Sequence, residues 1–421
     1  MTDRRPVGGR GARWAAWVLG ALLAGGWAAA AGRPTDWPQH LGPDRQGAVS
    51  GVEIPPAPAA GYPLVWKAGV GEGFSGPLVV SNRVLLHHRR GAEEILEAFD
   101  AGTGRSLWQA RQPTRYADDF GFDEGPRATP LVAGETVFTF GAEGRVTAVA
   151  LADGALRWTV PAGEKLGAGK GFFGFGSSPL AVGTRVVVQV GAPSGAGVVA
   201  LEQADGRVAW RALDEEAGYG SPVLATWGGQ SRLVCFNREG LRLLDPETGR
   251  RLAGEPWRAR MAASVNAASP LVLDRSVLIT ASYGTGAALF DWDADRLTRR
   301  WSGDESLSAH YATPVVVGGH LYGFHGRQEE GPEFRCVEWS TGRVRWTSGR
   351  MAAGAVMALG ETLALVLENG ELVVAPADPS KWAIRHRQQI LGSGARALPA
   401  FGRGLLVARD KARLVAVRLA E

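Results

Sequence analysis

Residues 98–108 read AFDAGTGRSLW, and three further stretches repeat this spacing of residue types. These stretches are AVALADGALRW at 148–158, ALEQADGRVAW at 200–210 and CVEWSTGRVRW at 336–346. Each begins with a small residue, has a glycine six positions later and ends in tryptophan four positions after the glycine. The glycine suits a positive-φ turn between two strands, and the indole of the second strand buries a large flat area. The pattern predicts repeated sheets that pack against one another through these tryptophans.

The repeats have a second marker, a proline that usually follows Gly, Ser or Thr. The marker residues are Pro77, Pro130, Pro179, Pro222, Pro270, Pro314 and Pro399. Their spacings are 53, 49, 43, 48 and 44 residues, then 85 across a degenerate unit near Ala355-Val356. Short apolar runs divided by Gly or Asp turns, such as PLVAGETVF at 130–138, indicate β-hairpins. Four strands in about 40–50 residues are typical of a propeller blade, so we expect an all-β, eight-bladed β-propeller of four-stranded antiparallel blades.

The final repeat, residues 399–419, contains only three predicted strands and lacks a closing tryptophan. A suitable fourth strand, YPLVW, occurs near the start at 62–66. We expect this N-terminal strand to close the ring, because closure removes the open sheet edges. The propeller would then span 62–421. The predicted structural docking residues are Trp66, Trp108, Trp158, Trp210, Trp301 and Trp346.

The first 31 residues combine four arginines with an uncharged apolar stretch that begins at Trp14 and ends in four alanines. This arrangement predicts a signal peptide cleaved after Ala31, or a signal anchor if it is not cleaved. Residues 32–61, rich in proline, are predicted to form an extended N-terminal arm that Trp37 and Leu41 pin to the propeller. The protein is therefore expected to be exported, periplasmic or extracellular, and to meet a membrane only through an uncleaved leader or a partner.

The composition of the 421 residues, 45% hydrophobic and 21% charged, is that of a soluble globular protein. The formal net charge is +4, but the leader carries +3 of it, and 42 basic and 41 acidic residues follow residue 31. Clustered cations are absent from that remainder, so we expect no nucleic-acid partner. The two cysteines are too few for a disulfide scaffold or a cysteine-built metal site.

The Ala-x-Asp-x-x-x-Gly-x-x-x-Trp element at 98–108 resembles the tryptophan-docking motif of the quinoprotein-dehydrogenase-like propellers, whose repeats are called PQQ-like. The stretch DWPQHLGPD at 36–44 resembles the opening of exported PQQ-like repeat proteins. The same fold occurs in the propeller subunit of the bacterial outer-membrane β-barrel assembly machinery. The resemblance covers about residues 62–421 and implies a fold rather than an activity, because a fold hosts many functions.

Enzymes of this family bind pyrroloquinoline quinone (PQQ). The resemblance implies that such a site needs aromatic stacking, cations for the quinone carboxylates, calcium, a carboxylate base and often two adjacent cysteines. Here Cys235 and Cys336 lie 101 positions apart. Both are expected to be small buried packing residues. We predict no cofactor and no metal, with PQQ and calcium only under an enzymatic alternative in which Asp118, Asp119 or Asp123 acts as the base.

Two connections between repeats are long, with 22 and 21 positions from the closing tryptophan to the next proline, and they follow consecutive repeats. Loops on a rigid scaffold are common binding sites. The candidates for a binding face are Arg115, Tyr116, Asp118, Asp119, Phe120, Asp123, Glu124 and Arg127 in the first, and Lys165, Lys170, Phe172, Phe173 and Phe175 in the second. His310 and Tyr311 are added because they lie near another connection. His87 and His88, in a predicted strand, are expected to be exposed.

The first hypothesis is an exported, non-catalytic and monomeric propeller that binds protein partners of the cell envelope and acts in outer-membrane protein assembly. The first alternative is a PQQ-dependent alcohol or sugar dehydrogenase. The second is a carbohydrate-binding propeller, suggested by the aromatic residues of the second long connection. The sequence predicts no catalytic residue for the first hypothesis.

Overall fold

The computed structural model describes residues 36–261 and 265–421. The predicted signal peptide, residues 1–31, and the first four residues of the N-terminal arm lie outside this part. Its strands form eight sheets. The prediction of an eight-bladed, four-stranded antiparallel β-propeller is confirmed.

The first four blades follow one another along the chain. Blade 1 contains Leu78–Val80, Arg83–Arg90, Glu93–Asp100 and Ser106–Pro113. Blade 2 contains Leu131–Ala133, Thr136–Phe140, Arg145–Ala150 and Leu156–Pro161, and the helix Ala162–Leu166 follows it. Blade 3 contains Leu180–Val182, Arg185–Ala192, Ala196–Glu202 and Val208–Ala212. Blade 4 contains Val223–Trp227, Gln230–Asn237, Gly240–Leu244 and Arg251–Pro256.

The remaining blades include two strands from the N-terminal part of the chain. Blade 5 contains Leu271–Leu273, Ser276–Ala281, Gly286–Asp293 and Arg296–Gly303. Blade 6 contains Val315–Val317, His320–His325, Glu333–Glu338 and Val344–Arg350, with the 3-10 helix Gln328–Glu330. Blade 7 contains Gly354–Leu359, Thr362–Leu367, Glu371–Pro376 and His386–Gln389, and its first strand also pairs with Ala48–Val49. Blade 8 contains Ala400–Gly402, Leu405–Arg409, Arg413–Arg418 and, as its outer strand, Leu64–Gly69.

The N-terminal strand closes the ring, as predicted. Leu64–Gly69 pairs antiparallel with Arg413–Arg418, and Trp66 lies opposite Ala416. The indole nitrogen of Trp66 donates a hydrogen bond to the carbonyl of Ala101 in blade 1 (2.8 Å). The two ends of the propeller are therefore joined by backbone hydrogen bonds and by a docked side chain.

Five of the six predicted docking tryptophans pack on the glycine turn of the next blade. Trp66, Trp108, Trp158, Trp210 and Trp301 lie on Gly104, Gly154, Gly206, Gly249 and Gly342 in turn. A Cβ at any of these glycines would lie 2.5–2.7 Å from an indole carbon, so only glycine fits beneath the ring. Trp346 differs, because it donates to the carbonyl of Asp378 (2.8 Å) and lies 5.4 Å from Trp382, ring centre to ring centre.

The Ser and Thr residues before the marker prolines link the blades near the axis. The backbone N–H of each donates to the side-chain oxygen of the next, at 2.9–3.1 Å. The residues that form this chain of bonds are Gly76, Thr129, Ser178, Ser221, Ser269 and Thr313. It joins blades 1 to 6 around the channel, and each such bond stabilises by about 0.5–1.5 kcal/mol.

The described part of the N-terminal arm runs through the central channel. Trp37 exchanges two backbone hydrogen bonds with Val79 of blade 1 (2.6 and 3.2 Å). The N–H of Val132 in blade 2 donates to the carbonyl of Pro38 (2.8 Å). The arm then turns and pairs, as Ala48–Val49, in parallel with the inner strand of blade 7. The arm thus bonds to the inner strands of blades 1, 2 and 7, on both sides of the channel.

Arg45 anchors the turn of the arm inside the channel. Its side chain is only 2% exposed. The guanidinium donates to Gln39 Oε1 (2.9 Å) and to the carbonyls of Pro222 (2.8 Å), Pro179 and Ser178. Burial lowers the pKa of Arg45 to about 9, so the group stays protonated at neutral pH. Backbone carbonyls from blades 3 and 4 therefore solvate a buried cation.

The arm returns to the face of the disc from which it entered. Ser81, in the first turn of blade 1, donates its N–H to Asp36 (2.9 Å), and Gly360, in the first turn of blade 7, donates to Val49 (2.8 Å). We call this side the turn face. The opposite side carries the connections between blades and is called the connection face. Arg45 lies towards the connection face, because it bonds residues that directly precede inner strands.

Candidate binding face

The two long connections, 114–130 and 162–179, lie side by side on the connection face because they follow consecutive blades. The ring of Phe120 lies 6.1 Å from Phe172 and 5.2 Å from Phe173, measured between ring centres. Lys170 Nζ forms an ion pair with Asp119 Oδ1 (2.7 Å). The connections therefore form one surface, with Phe120 51% exposed and Phe122 45% exposed. We call Phe120, Phe122, Phe172 and Phe173 the aromatic cluster.

Two of the predicted acidic residues hold the first connection in shape. Asp118 Oδ2 accepts hydrogen bonds from the backbone N–H groups of Phe122 (2.6 Å) and Asp123 (3.1 Å). Asp123 is buried, and its Oδ1 accepts the N–H of Gly125 (2.8 Å). These carboxylates bond to the backbone of their own loop, which positions Phe122 at the surface.

The same connection is tied to blade 1. Arg89 donates to the carbonyls of Tyr116 (2.6 Å) and Glu124 (3.0 Å). Tyr116 is buried, whereas Glu124 is half exposed and pairs with Arg89 Nη2 (3.4 Å). Arg115 is exposed, and its N–H donates to Glu143 Oε2 (3.0 Å). Of these predicted residues, Tyr116 is a packing residue, and Arg115 and Glu124 lie at the edge of the face.

Phe175 and Lys165 do not join the aromatic cluster. Phe175 is 6% exposed and packs 5.4 Å from Phe140, between ring centres. A Cβ at Gly144 would lie only 2.8 Å from its ring, so the side chain is enclosed. Phe175 is therefore a core residue next to blade 2, and it also lines the second cavity described below. Lys165 is exposed on the short helix and does not line the cavity described next.

The mouth of the channel on the connection face is a cavity of about 340 Å³, which we call the mouth cavity. Its walls come from several blade connections, and the tip of the N-terminal arm supplies His40. Besides the aromatic cluster, the lining includes Phe74, Arg127, Tyr219, Tyr283, His310, Tyr311, Arg327, Glu329 and Arg396. It brings together residues from blades 1 to 8, and aromatic rings dominate it.

Guanidinium groups lie over several of these rings. The Cζ of Arg127 lies 5.6 Å from the centre of Phe74 and 5.9 Å from that of Phe173. Arg327 lies 4.5 Å above Tyr283. Such pairs are attractive because the ring face is electronegative. The arginines are thereby held in place against the wall of the cavity.

His310 and Tyr311, both predicted candidates, form part of this wall. His310 Nδ1 lies 2.8 Å from Gln328 Oε1 and its Nε2 lies 3.4 Å from Tyr283 Oη. Burial lowers the pKa of His310, so it is neutral at physiological pH. Tyr311 donates a hydrogen bond to Glu368, and burial raises the pKa of its hydroxyl. Both side chains are fixed by neighbours on separate blades.

Sequence reasoning missed Tyr219, Tyr283, Arg327, Arg396 and His40. Tyr219 accepts the N–H of Phe173 (2.8 Å) through its hydroxyl oxygen and orders the second long connection. These residues lie in short connections, in a hairpin and in the N-terminal arm. No local motif marks them, so only the ring geometry brings them to one cavity.

A second cavity of about 450 Å³ adjoins the mouth cavity and shares Phe172 and Tyr219 with it. Glycines of the second long connection form much of its lining. Its charged lining residues are Lys170, Asp214, Glu215, Glu216 and Arg238. Glu215 pairs with Arg242 (2.9 Å) and Glu216 with Arg238 (2.6 Å), so much of this charge is compensated.

His87 and His88 are buried, so the prediction that they are exposed is wrong. His88 Nδ1 accepts the N–H of Gly71 (3.0 Å), and its Nε2 lies 3.0 Å from Glu97 Oε2. The first bond requires an unprotonated Nδ1, so His88 is neutral and donates to Glu97. His87 Nε2 lies 3.5 Å from Glu94. The strand is covered on both sides by neighbouring blades.

The donor groups for a quinone-and-calcium site do not assemble in the mouth cavity. Glu329 is the single carboxylate among its described lining residues. Across residues 36–261 and 265–421, His, Cys, Asp and Glu side chains form no group of three or more that could hold a metal ion. Cys235 and Cys336 are free and buried in different blades. These residues do not fit the calcium site that the resemblance implies.

The fold and this face define an eight-bladed propeller of PQQ-like repeats with a loop-built candidate binding face. A family model described as "Outer membrane protein assembly factor BamB" matches residues 59–168 and 92–348. The chain belongs to this family. The outer membrane protein assembly factor BamB of Burkholderia pseudomallei (strain K96243) is 26% identical, over 73% of this chain and 86% of that protein.

Solved structures show the same fold. BamB from Moraxella catarrhalis has a TM-score of 0.62 and 14% identity, covering 85% of this chain and 97% of that chain. Quinohemoprotein alcohol dehydrogenase from Comamonas testosteroni has a TM-score of 0.65 and 12% identity, covering 92% of this chain and 81% of that chain. At these identities the likeness concerns the fold alone. Within the described residues, no helix has both the length and the apolar character needed to span a bilayer.

Proposed function

We propose that this chain is a non-catalytic scaffold of the cell envelope that binds protein partners during the assembly of outer-membrane proteins. The observation that carries the proposal is the aromatic cluster on the connection face, where Phe120 and Phe122 are about half exposed. Family membership and the name of the Burkholderia relative supply the process. The predicted leader supports a periplasmic location.

The geometry favours recognition of a macromolecule. Phe120 and Phe122 expose about half of their surface, although large apolar side chains on a monomer usually lie inside. Asp118 fixes the loop that presents them, so the surface is ordered before a partner arrives. An ordered apolar patch binds at a lower entropic cost than a flexible one.

The test is genetic and quantitative. Deleting the gene should lower the amount of β-barrel proteins in the purified outer membrane, and wild-type protein should restore it. The double variant Phe120→Ala/Phe122→Ala should fail to restore it. Trp227→Ala is the matched control, because Trp227 is 48% exposed but ends the inner strand of blade 4 next to its first turn, on the turn face.

Normal β-barrel content in the deletion strain would overturn the proposed function. Full complementation by the double variant would show that the partner binds elsewhere. The cofactor prediction has its own test, in which purified protein receives PQQ and calcium and dye reduction is followed. Turnover would replace the scaffold by an enzyme, and selective binding on a glycan array would replace it by a carbohydrate-binding propeller.

A further inference from the structure

The aromatic cluster and the mouth cavity together indicate the kind of partner, an inference that rests on the proposed function. We propose that the connection face binds unfolded β-strand segments of the outer-membrane proteins under assembly. These segments are extended and uncharged, with aromatic or large aliphatic side chains at alternate positions. One such side chain enters the mouth cavity, and the next one on the same face of the segment lies on the aromatic cluster.

The charges in the lining of the mouth cavity are paired within the protein. Each lining arginine forms an ion pair with a carboxylate. The three pairs, with their nitrogen–oxygen distances, are Arg127–Asp118 (3.9 Å), Arg327–Glu329 (3.2 Å) and Arg396–Glu368 (3.1 Å). A charged side chain that leaves water for this surface therefore finds no free counter-charge among the arginines, and its desolvation stays uncompensated. The surface thus favours an uncharged segment.

The exposed apolar surface has the size of a short segment. Phe120 is 51% exposed and Phe122 is 45% exposed. A fully buried aromatic side chain covers about 150–250 Å², so the two rings together offer about that area. In a standard interface between folded proteins each partner buries about 800 Å². The aromatic cluster therefore suits a peptide segment better than a folded domain or a second copy of this chain.

The dimensions of the site favour an extended segment over a helix. One turn of an α-helix, about 10–12 Å wide and about 5.4 Å high, occupies about 400–600 Å³, more than the mouth cavity of about 340 Å³. In a strand, side chains on one face recur every 6.5–7 Å or about two residues. From the rim inwards, Phe120 lies 5.2 Å from Phe173, and Phe173 lies 5.9 Å from Tyr219, between ring centres. Side chains i and i+2 of a strand can therefore contact successive rings.

Segments of this kind are a common feature of outer-membrane proteins. The transmembrane strands of these barrels alternate apolar and polar residues and carry aromatic residues at both membrane interfaces. Before insertion, their apolar side chains and backbone edges are uncovered and prone to aggregation. A segment that lies on the aromatic cluster has its apolar face covered, while its polar face stays in water. Binding of this kind gives the scaffold a direct contact with the proteins whose assembly it supports.

The test uses purified full-length protein and fluorescein-labelled short peptides, with binding followed by anisotropy. One peptide has Phe-Thr-Phe at its centre, flanked by serine and threonine, and its isomer has Phe-Phe-Thr. The alternating peptide should bind at least about fivefold more tightly, because the isomer places its two rings on opposite faces of the strand. Replacing both phenylalanines of the peptide by serine should weaken binding further.

Two further measurements examine the role of charge. Replacing the central threonine of the alternating peptide by aspartate or by lysine should change the affinity by less than about threefold in either direction, because the lining arginines are already paired. Raising the salt concentration from about 50 mM to about 500 mM should leave the affinity within the same range.

The variants locate the binding surface. Phe120→Ala/Phe122→Ala should weaken binding of the alternating peptide by at least about fivefold. Trp227→Ala, which removes an equally exposed ring from the turn face, should bind as the wild type does. Each variant is first checked for an unchanged unfolding temperature.

Equal affinity for the alternating peptide and its isomer, or wild-type affinity in the double variant, overturns the inference. So does binding to phosphatidylglycerol vesicles in place of the peptides. A deletion phenotype without this peptide preference overturns only the inference, whereas normal β-barrel content in the deletion strain overturns the proposed function.

Discussion

Replacing Gly206 by alanine tests the contact that joins blades 2 and 3. Gly206 has φ of +74°, and a Cβ there would lie 2.7 Å from Trp158 Cε3 and 2.9 Å from Val160 Cγ2. The left-handed backbone costs alanine about 1–2 kcal/mol. Overlap with a packed side chain adds about 1–3 kcal/mol, because the indole is also held by its hydrogen bond to Gln203 (2.9 Å). We expect Gly206→Ala to lower the free energy of unfolding by about 2–5 kcal/mol.

Gly134→Ala is the matched control. Gly134 has φ of +56°, in a turn of blade 2, but no atom lies within 4 Å of its Cβ position. This variant should therefore lose only the backbone contribution of about 1–2 kcal/mol. Urea unfolding followed by tryptophan fluorescence measures both variants. If Gly206→Ala is no more destabilising than Gly134→Ala, the docking tryptophans do not need glycine beneath them, and the reasoning is wrong.

Three further changes address the arm and the hydrogen bonds near the axis. Arg45→Met leaves several channel carbonyls without a donor, so amide exchange of the arm should speed up, while Arg207→Met on the exposed surface should change nothing. Burial, and to a smaller extent the charge of Arg45, lowers the pKa of His40 from 6.5 to about 3. Between pH 6.5 and pH 3 the unfolded state therefore binds a proton that the folded state does not, so the free energy of unfolding falls as the pH drops through this range. His40→Gln should flatten the decline of the urea midpoint, and an unchanged slope would contradict this. Ser221→Ala should cost about 1–3 kcal/mol because the N–H of Ser178 loses its acceptor, whereas Ser221→Thr should retain stability.

The periodic parts of the sequence predicted the propeller. The spacing of glycine and tryptophan follows from sheets that pack face to face, so Trp158 and Gly206 could be paired with a blade interface before the structure. The three-stranded last repeat likewise required an added strand, and Trp66 supplied it. The marker prolines located the inner strands, but the hydrogen bonds made by Ser178 and Ser221 needed the ring geometry.

The remaining features depend on contacts between distant parts of the chain. The arm contains no repeat. Arg45 bonds to backbone carbonyls, which every residue type has, so the sequence does not show which residues are its partners. Phe175 and Phe173 are two positions apart in one connection, yet one faces blade 2 and the other the mouth cavity. His88 was wrongly predicted to be exposed. Side chains of a strand point alternately to its two faces, but both faces of this strand are buried, so the alternation does not identify an exposed position.

The pairing of Leu64–Gly69 with Arg413–Arg418 sets the order of events during synthesis. The outer strand of blade 8 leaves the ribosome hundreds of positions before its partner, so it must wait while seven other blades emerge. Until then an unpaired edge and Trp66 stay open to aggregation. A premature stop anywhere before blade 8 would therefore abolish the closed ring rather than merely shorten it.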